Sequence, residues 1–232
     1  MDSQAGPVMK REIVAAKVRD SYTERLIDNW KVFSVGSRFT ILLYICAGLG
    51  LSGFHLYTAY FGLIEAWAVR AVHVTLVLIV IYLTPRSKTL DGKKHYYLQV
   101  PDLFLAAAVA VIGLYMYNDY LGIIVDRTGI PNLYDKISCW ALILLVLEAC
   151  RRKVGWSISL LALFFWLYTV WGHLLPGYYG HPQFSSNNIT DFFFNTPMGI
   201  FGIPTSVSAM YIILFVILAA FLYYANSSSF FL

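Results

Sequence analysis

Three long apolar runs without a charged residue constrain the fold of this chain more than any other feature. Phe39–Phe61, Val154–Leu175 and Ile200–Ala225 contain no Asp, Glu, Lys or Arg. A helix needs about 20 mostly apolar residues to cross the hydrocarbon core of a bilayer. The backbone N–H and C=O groups find no water there, so they must bond within the segment, as they do in a helix. These runs therefore predict transmembrane helices.

Three further apolar runs carry charges only near their ends, where charged side chains can reach the interface. They are Trp67–Leu83, Val100–Tyr117 and Leu133–Ala149. The fold predicted is an all-α, polytopic integral membrane protein with about six transmembrane helices. The composition agrees, because 59% of the residues are hydrophobic and only 13% are charged, against about 25% charged in soluble domains. A net charge of +4, carried between apolar runs, argues against a nucleic-acid partner and leaves membrane lipid as the expected surroundings.

Lysine and arginine set the predicted orientation. Seven lie in the leader before residue 39, four in the link 85–99, and three in Arg151–Lys153. The other side receives only Arg70, Arg127 and Lys136. Because cytoplasmic loops are enriched in Lys and Arg, six crossings with both termini in the cytoplasm satisfy this distribution.

The same pattern predicts four regions. Residues 1–38 form a polar cytoplasmic leader, for which a helix lying on the membrane and a solvated helix are both open. Residues 39–175 form a five-helix scaffold. Residues 176–199 form an outer loop, with a short interfacial helix expected from Ser185 to Phe194 and Ser or Asn as its N-cap. Residues 200–232 supply the last helix, with Pro204 in its first turn.

Few residues indicate chemistry. Arg70 and His73 share a helix face and are either structural or functional, with Glu65 as a partner expected for Arg70. Glu148 precedes Arg151 and Arg152 at the spacing of an intrahelical ion pair, which predicts a structural elbow. Asp102 suits a helix N-terminus, and Asp119 and Asp126 are expected to stay hydrated. Small residues predict close helix packing and lie in the first and third spans: Gly48, Ser52, Gly53, Ala106, Ala110 and Gly113.

The remaining histidines and the cysteines are scattered. His55, His95, His173 and His181 have no metal-ligand spacing, and Cys46, Cys139 and Cys150 are expected to serve packing. No nucleophile–base pair, phosphate-binding loop or paired carboxylates occur within the spans. The sequence therefore predicts no catalytic residue, no metal and no cofactor, and the protein is not expected to be an enzyme.

Specific segments resemble fused permeases of tripartite ATP-independent periplasmic (TRAP) transporters, in the branch with TAXI-type receptors. Leu147–Trp156 resembles the "LEA-x-RR-x-VGW" elbow of that family, and Gly199–Pro204 with Val207–Ala209 resembles its "GIFGIP…VSA" entry to the first large-subunit helix. Weaker similarity covers Phe54–Gly62, Ala71–His73, Leu174–Gly177 with His181 and Phe184, and Phe215–Leu222. The resemblance spans about residues 39–225.

The resemblance implies the function. These permeases are secondary transporters of the bacterial or archaeal inner membrane that import organic anions such as C4-dicarboxylates, driven by sodium or sometimes protons. A periplasmic TAXI-type binding protein delivers the substrate to a small Q-type scaffold and a mobile, large M-type part. This chain would be the scaffold with the first large-subunit helix of a truncated transport domain, and it would not transport alone.

Two departures limit what can be carried over. The Gly/Ser-rich hairpin motifs that would bind sodium and substrate are missing, so the substrate-binding residues are unknown. After Leu222 the chain reads Tyr-Tyr-Ala-Asn-Ser-Ser-Ser instead of the family's continuation. The alternatives are a standalone membrane adaptor or orphan fragment without transport activity, and a membrane enzyme acting on lipid.

Overall fold

The computed structural model describes residues 35–62, 64–84, 86–90, 93–97 and 100–225. Residues 1–34 of the predicted leader and residues 226–232 lie outside these ranges, whereas residues 35–38 of that leader belong to the first helix. Contacts divide the chain into two units, one of residues 1–43 and 85–99 and the other of residues 44–84 and 100–232. Within the described part, everything except one short hairpin is helix or connecting turn.

The helices begin and end close to the predicted spans. The long helices are α1 (Val35–Phe61), α2 (Ala66–Leu83), α3 (Val100–Asn118), α4 (Leu133–Lys153) and α5 (Trp156–Trp171). The last span, Ile203–Tyr224, is here called the C-terminal helix; it consists of α7 (Ile203–Val207), a π-helical turn (Ser208–Ile212) and α8 (Ile213–Tyr224). Between α5 and α7 lie 3₁₀ turns at Gly172–Leu174 and Gly177–Tyr179, helix α6 (Ser186–Thr190) and a π turn (Asp191–Asn195).

A β-hairpin interrupts the helical chain between α2 and α3, which the sequence analysis did not predict. Strands β1 (Arg86–Leu90) and β2 (Lys93–Tyr97) pair antiparallel, with Leu90 opposite Lys93 and Arg86 opposite Tyr97. The dipeptide between the strands is Asp91-Gly92, a strong sequence signal for a two-residue hairpin. That signal was available in the sequence and was missed.

Five of the described helices are long and apolar enough to cross a membrane by length and composition: α1, α2, α3, α5 with its 3₁₀ extension, and the C-terminal helix. Helix α4 falls outside this set, since it carries Asp135, Lys136, Glu148 and the three basic residues of its last turn. It nevertheless has 21 residues, about 31 Å of helix. The described residues thus form a multi-pass membrane protein.

The core of the larger unit lies where α2, α3 and α4 meet. Trp67, Tyr82, Val109, Leu142 and Cys139 are each no more than 1% exposed. Most other large apolar side chains face outward, as expected for helices whose surroundings are lipid. Helix α1 packs sparsely, because Leu51 and His55 are its only buried side chains between residues 41 and 61.

The small residues predicted to pack behave differently in the two spans. Ala106 is buried, and a Cβ added at Gly113 would overlap the Cγ2 of Thr75 in α2. Helices α2 and α3 are therefore in close contact at Gly113. In contrast, a Cβ added at Gly48 or Gly53 in α1 would meet no atom within 4 Å. The packing prediction is confirmed for the third span, whereas α1 makes no close approach at these glycines.

Candidate functional site

One face of α2 holds the segment that leads into the C-terminal helix. Trp67 Nε1 donates to the carbonyl of Phe194 at 3.2 Å, and Arg70 Nη1 donates to the carbonyl of Phe201 at 2.8 Å. One turn further, His73 Nε2 lies 3.1 Å from Ser208 Oγ. Residues three apart on a helix share a face, so the three contacts form one stripe. We call it the α2 seam.

The expected ion pair between Glu65 and Arg70 is replaced by two separate contacts. Glu65 is the N-cap of α2, and its Oε2 accepts from Ala68 N at 3.1 Å. Arg70 instead donates a hydrogen bond to the carbonyl of Phe201, and its Nε is buried without a hydrogen-bond partner. Backbone carbonyls carry no residue-type signature, which is why the sequence could not predict this acceptor.

A chain of three polar side chains crosses the seam inside the membrane span. His73 Nδ1 lies 2.9 Å from His55 Nε2, in addition to the contact of His73 with Ser208. Only 1% of His55 and 5% of His73 is exposed. The sequence analysis treated these histidines as unrelated. Their positions could have predicted this contact, because each histidine lies about two turns from the short connection between α1 and α2.

A cluster around Arg127, here called the Arg127 cluster, joins the end of α3 to the start of α4. Arg127 Nε donates to Asp135 Oδ2 at 2.9 Å, and its Nη2 donates to Asp119 Oδ2 at 2.7 Å. Tyr115 Oη donates to Asp135 Oδ1 at 2.7 Å. Asp135 is fully buried and also forms the capping box of α4 with Asn132. Hydrogen bonding to Asp135 is the main cause that raises the pKa of the Arg127 guanidinium above its ordinary value.

The Arg127 cluster departs from prediction in two places. Asp119 was expected to stay hydrated, but Arg127 binds it while 42% of its side chain remains exposed. Asp135 was expected to reach the interface, yet none of its side chain is exposed. Asp126 is exposed, as expected. Asp135 points inward because its two oxygens accept hydrogen bonds from Arg127, from Tyr115 and from the backbone N–H of Asn132.

Residues 186–199 contact this cluster with one side and expose the other. The predicted short helix is α6, with Ser185 as N-cap accepting from Asn188 N at 3.2 Å. Asp191 Oδ1 accepts from Gly129 N at 2.6 Å, and Asn195 Nδ2 donates to the carbonyl of Arg127 at 3.3 Å. Phe194 is fully buried, whereas Phe192 is about half exposed.

Two glycines after this segment are required by close backbone contacts. A Cβ at Gly199 would overlap the Cα of Phe193, and one at Gly202 would overlap the carbonyl oxygen of Met198. Phe201, between them, is fully buried against Trp67 with ring centroids 5.2 Å apart. The tight turn therefore sets where the C-terminal helix begins, with Pro204 in its first turn as predicted.

The predicted elbow between α4 and α5 forms a charge cluster at the opposite end of α3. Glu148 accepts from Arg151 at 2.7 Å and from Arg152 at 2.6 Å, which confirms the intrahelical pairs. Arg152 also reaches Asp102, which is 1% exposed in the first turn of α3. Gly155 makes the turn into α5 at φ 112°, a conformation that suits glycine.

A groove of about 940 Å³ lies between the N-terminal half of α2 and the C-terminal half of α3. Its walls are mostly apolar, and Glu65, Asn118 and Asp119 lie among the polar residues that line it. Glu65 already accepts a hydrogen bond as the N-cap of α2, and Asp119 already accepts one from Arg127. Across the described ranges, no group of three or more His, Cys, Asp or Glu side chains could hold a metal ion; the expected lack of a cofactor stays a prediction.

Searches of protein-family models, curated proteins and solved structures find no match to this chain. The TRAP resemblance therefore depends on the segments quoted above.

Proposed function

We propose that this chain is the membrane scaffold of a tripartite ATP-independent secondary transporter, together with the first helix of its transport domain. Its substrates are organic anions of the carboxylate class, and a periplasmic TAXI-type binding protein delivers them. It works with a large M-type part and is not transport-competent alone. Its membrane is the inner membrane of a bacterium or archaeon.

The α2 seam is the observation that carries the proposal. The segment resembling the large-subunit entry, from Gly199 to Ala209, is tied to a scaffold helix by Arg70 and His73. Phe201 and Ala209 within it are buried. A scaffold that anchors a mobile domain needs such a fixed attachment at the entry to that domain.

The elbow gives independent support. The Glu148, Arg151 and Arg152 side chains of the family-like motif bind one another and reach Asp102 in a different helix. A motif whose charged residues satisfy each other at the membrane surface serves positioning, which suits a scaffold better than an ion pathway.

The topology in the proposal has six crossings. Asp135 at the start of α4 contacts Tyr115 near the end of α3, and Arg152 at the end of α4 contacts Asp102 at the start of α3. Each end of α4 thus contacts an end of α3, which supports a sixth crossing by α4 antiparallel to α3. With the elbow on the Lys- and Arg-rich side, both termini are cytoplasmic.

The C-terminal helix supports the presence of a partner domain. Only 6% of its most apolar window is buried, at a mean hydropathy of 2.4. No residue of α8 is buried in the described structure. The remainder of a transport domain would pack against this exposed apolar surface.

The proposal is tested by uptake. The coding DNA past the Leu232 codon is read in all three frames, and any large-subunit frame found there is expressed with this chain and the receptor. We expect labelled organic-anion uptake only when all three are present together with an ion gradient. Unchanged uptake after deletion of this chain would support the standalone adaptor instead.

The receptor-facing surface is tested separately. We assign it to the outer segment 176–199, where Tyr178 and Tyr179 are highly exposed. Photo-cross-linkers at these two positions should capture the receptor, whereas one at buried Phe194 should not. Full transport after residues 177–184 are scrambled would contradict this assignment.

A further inference from the structure

The His55–His73–Ser208 chain lies within the membrane spans, and the attachment of the C-terminal helix uses only its His73–Ser208 contact and leaves the His55–His73 contact unexplained. Its three residues come from α1, α2 and the C-terminal helix. His55 lies about 9 Å from the end of α1, and His73 lies about 10 Å from the start of α2. Ser208 lies about 8 Å from the start of its helix. All three therefore lie at one depth, in the third of a core about 30 Å thick that is nearest the α1–α2 connection.

The hydrogen-bond geometry decides how many protons the chain can hold. A neutral imidazole has one N–H donor and one acceptor nitrogen. If His73 carries its proton on Nδ1, it donates to His55 Nε2 and accepts from the Ser208 hydroxyl. If it carries the proton on Nε2, it donates to Ser208 and accepts from the Nε2–H of His55. Both arrangements make the same two contacts.

One extra proton fits without breaking either contact. A His73 imidazolium donates Nδ1–H to His55 Nε2 and Nε2–H to Ser208 Oγ. A second proton on His55 would set two N–H groups against each other at 2.9 Å, so the contact would break. The three groups therefore take up their first proton as a unit, and a second proton binds only at lower pH, when the contact breaks.

We propose that His55, His73 and Ser208 form a one-proton binding site in the third of the membrane nearest the α1–α2 connection, which links the charge on the histidine pair to the C-terminal helix. Ionisable groups within membrane spans mark proton sites and relays by default. The C-terminal helix enters this site with a π-helical turn that begins at Ser208, and such turns are frequent at functional sites. The naming of that helix as part of a transport domain rests on the proposed function; the proton site does not.

The charges around the site are few. Arg70 lies one turn away on α2, and its positive charge opposes an added proton. Glu65 lies further out, at the cap of the same helix. Neither α1 from residue 41 onward nor the C-terminal helix contributes an Asp, Glu, Lys or Arg. Tyr57 and Tyr211 on these helices are about half exposed and face away.

The site is tested by nitrogen NMR of the full chain, labelled with ¹⁵N-histidine and held in lipid nanodiscs, between about pH 8 and pH 4. His55 and His73 signals should shift together at one midpoint, with one proton taken up by the pair. His73→Gln should abolish that shared step. Ser208→Ala keeps the pair and should move the midpoint, whereas His181→Gln should leave it unchanged.

Two results would overturn the proposal. One is a titration in which His55 and His73 each respond in a step of their own, with no step that moves the signals of both rings. The other is the absence of any protonation of either ring while the helical signal persists. If His73→Gln does not fold, the proposal is still tested by the shared midpoint of the unaltered chain and by its shift in Ser208→Ala. None of these readouts depends on transport, so they stand apart from the uptake test.

Discussion

At the scale of single residues, Asp135 depends most on its partners, because its side chain is fully buried and Arg127 balances its charge. Removing one member of a buried ion pair strands the other charge. We expect Arg127→Gln to destabilise the protein by about 3 kcal/mol, measured by thermal unfolding in detergent.

A matched variant and a double variant sharpen this prediction. Asp126→Asn removes an exposed carboxyl from the same loop and should change stability by less than about 0.5 kcal/mol. Arg127→Gln combined with Asp135→Asn should be less damaging than Arg127→Gln alone, because no charge is then stranded. A loss in the double variant equal to the sum of the Arg127→Gln and Asp135→Asn losses would show that the pair is not coupled.

His181 makes a pH-dependent contact in the connection between α5 and α6. Its Nε2 lies 2.9 Å from the carbonyl oxygen of Tyr168, and its Nδ1 lies 2.7 Å from that of Pro182. Both carbonyls only accept, so they favour the doubly protonated ring and raise the pKa of His181 above 6.5. The contact therefore stabilises the loop fully below about pH 6.5 and weakens as the pH rises through the raised pKa.

An NMR titration of the His181 ring checks this prediction. We expect a midpoint above the ordinary histidine value, and we expect His181→Gln to remove the pH dependence of the nearby Tyr168 signals. A midpoint at or below the ordinary value would mean that one of the two carbonyl contacts is not made.

At the scale of elements, the contact between α2 and α3 depends on the missing side chain at Gly113. A methyl group there would overlap Thr75 Cγ2. We expect Gly113→Ala to destabilise the protein by about 1–3 kcal/mol, because two packed helices must separate. Adding Thr75→Ser, which deletes the overlapped methyl and keeps the hydroxyl bond to the carbonyl of Ala71, should restore part of the loss.

Gly53→Ala in α1 is the control for this packing effect. Nothing lies within 4 Å of a Cβ at that position, and alanine is the better helix former by about 1 kcal/mol. The variant should therefore be neutral or slightly stabilising in the same unfolding assay. A loss as large as that of Gly113→Ala would mean that α1 packs more closely than its exposed face indicates.

At the scale of the whole molecule, the number of membrane spans depends on whether α4 crosses the membrane. Thr128 and Lys153 are exposed residues just outside the start and at the end of this helix. In a chain whose native cysteines are replaced by alanine, we expect an impermeant thiol reagent to label Thr128→Cys in intact cells. Lys153→Cys should react only after permeabilisation. Labelling of both from outside would remove α4 from the set of crossing helices.

Sequence alone predicted the features that depend on neighbours along the chain. The spans are visible because crossing a bilayer demands a continuous apolar run. The Ser185 cap, Pro204 in the first turn and the Glu148 pairs were visible because each joins residues no more than four apart. The Asp91-Gly92 hairpin signal is equally local, and it was overlooked.

The tertiary structure alone decided which polar groups meet across helices. His55 and His73 are 18 residues apart, and Trp67 and Arg70 bind carbonyls 127 and 131 residues away. A carbonyl acceptor exists at every residue, so no sequence pattern marks the ones that are used. The long apolar runs therefore determined that this chain forms membrane helices, whereas the packing of α1, α2 and the C-terminal helix determined that two distant histidines and a serine share one buried site.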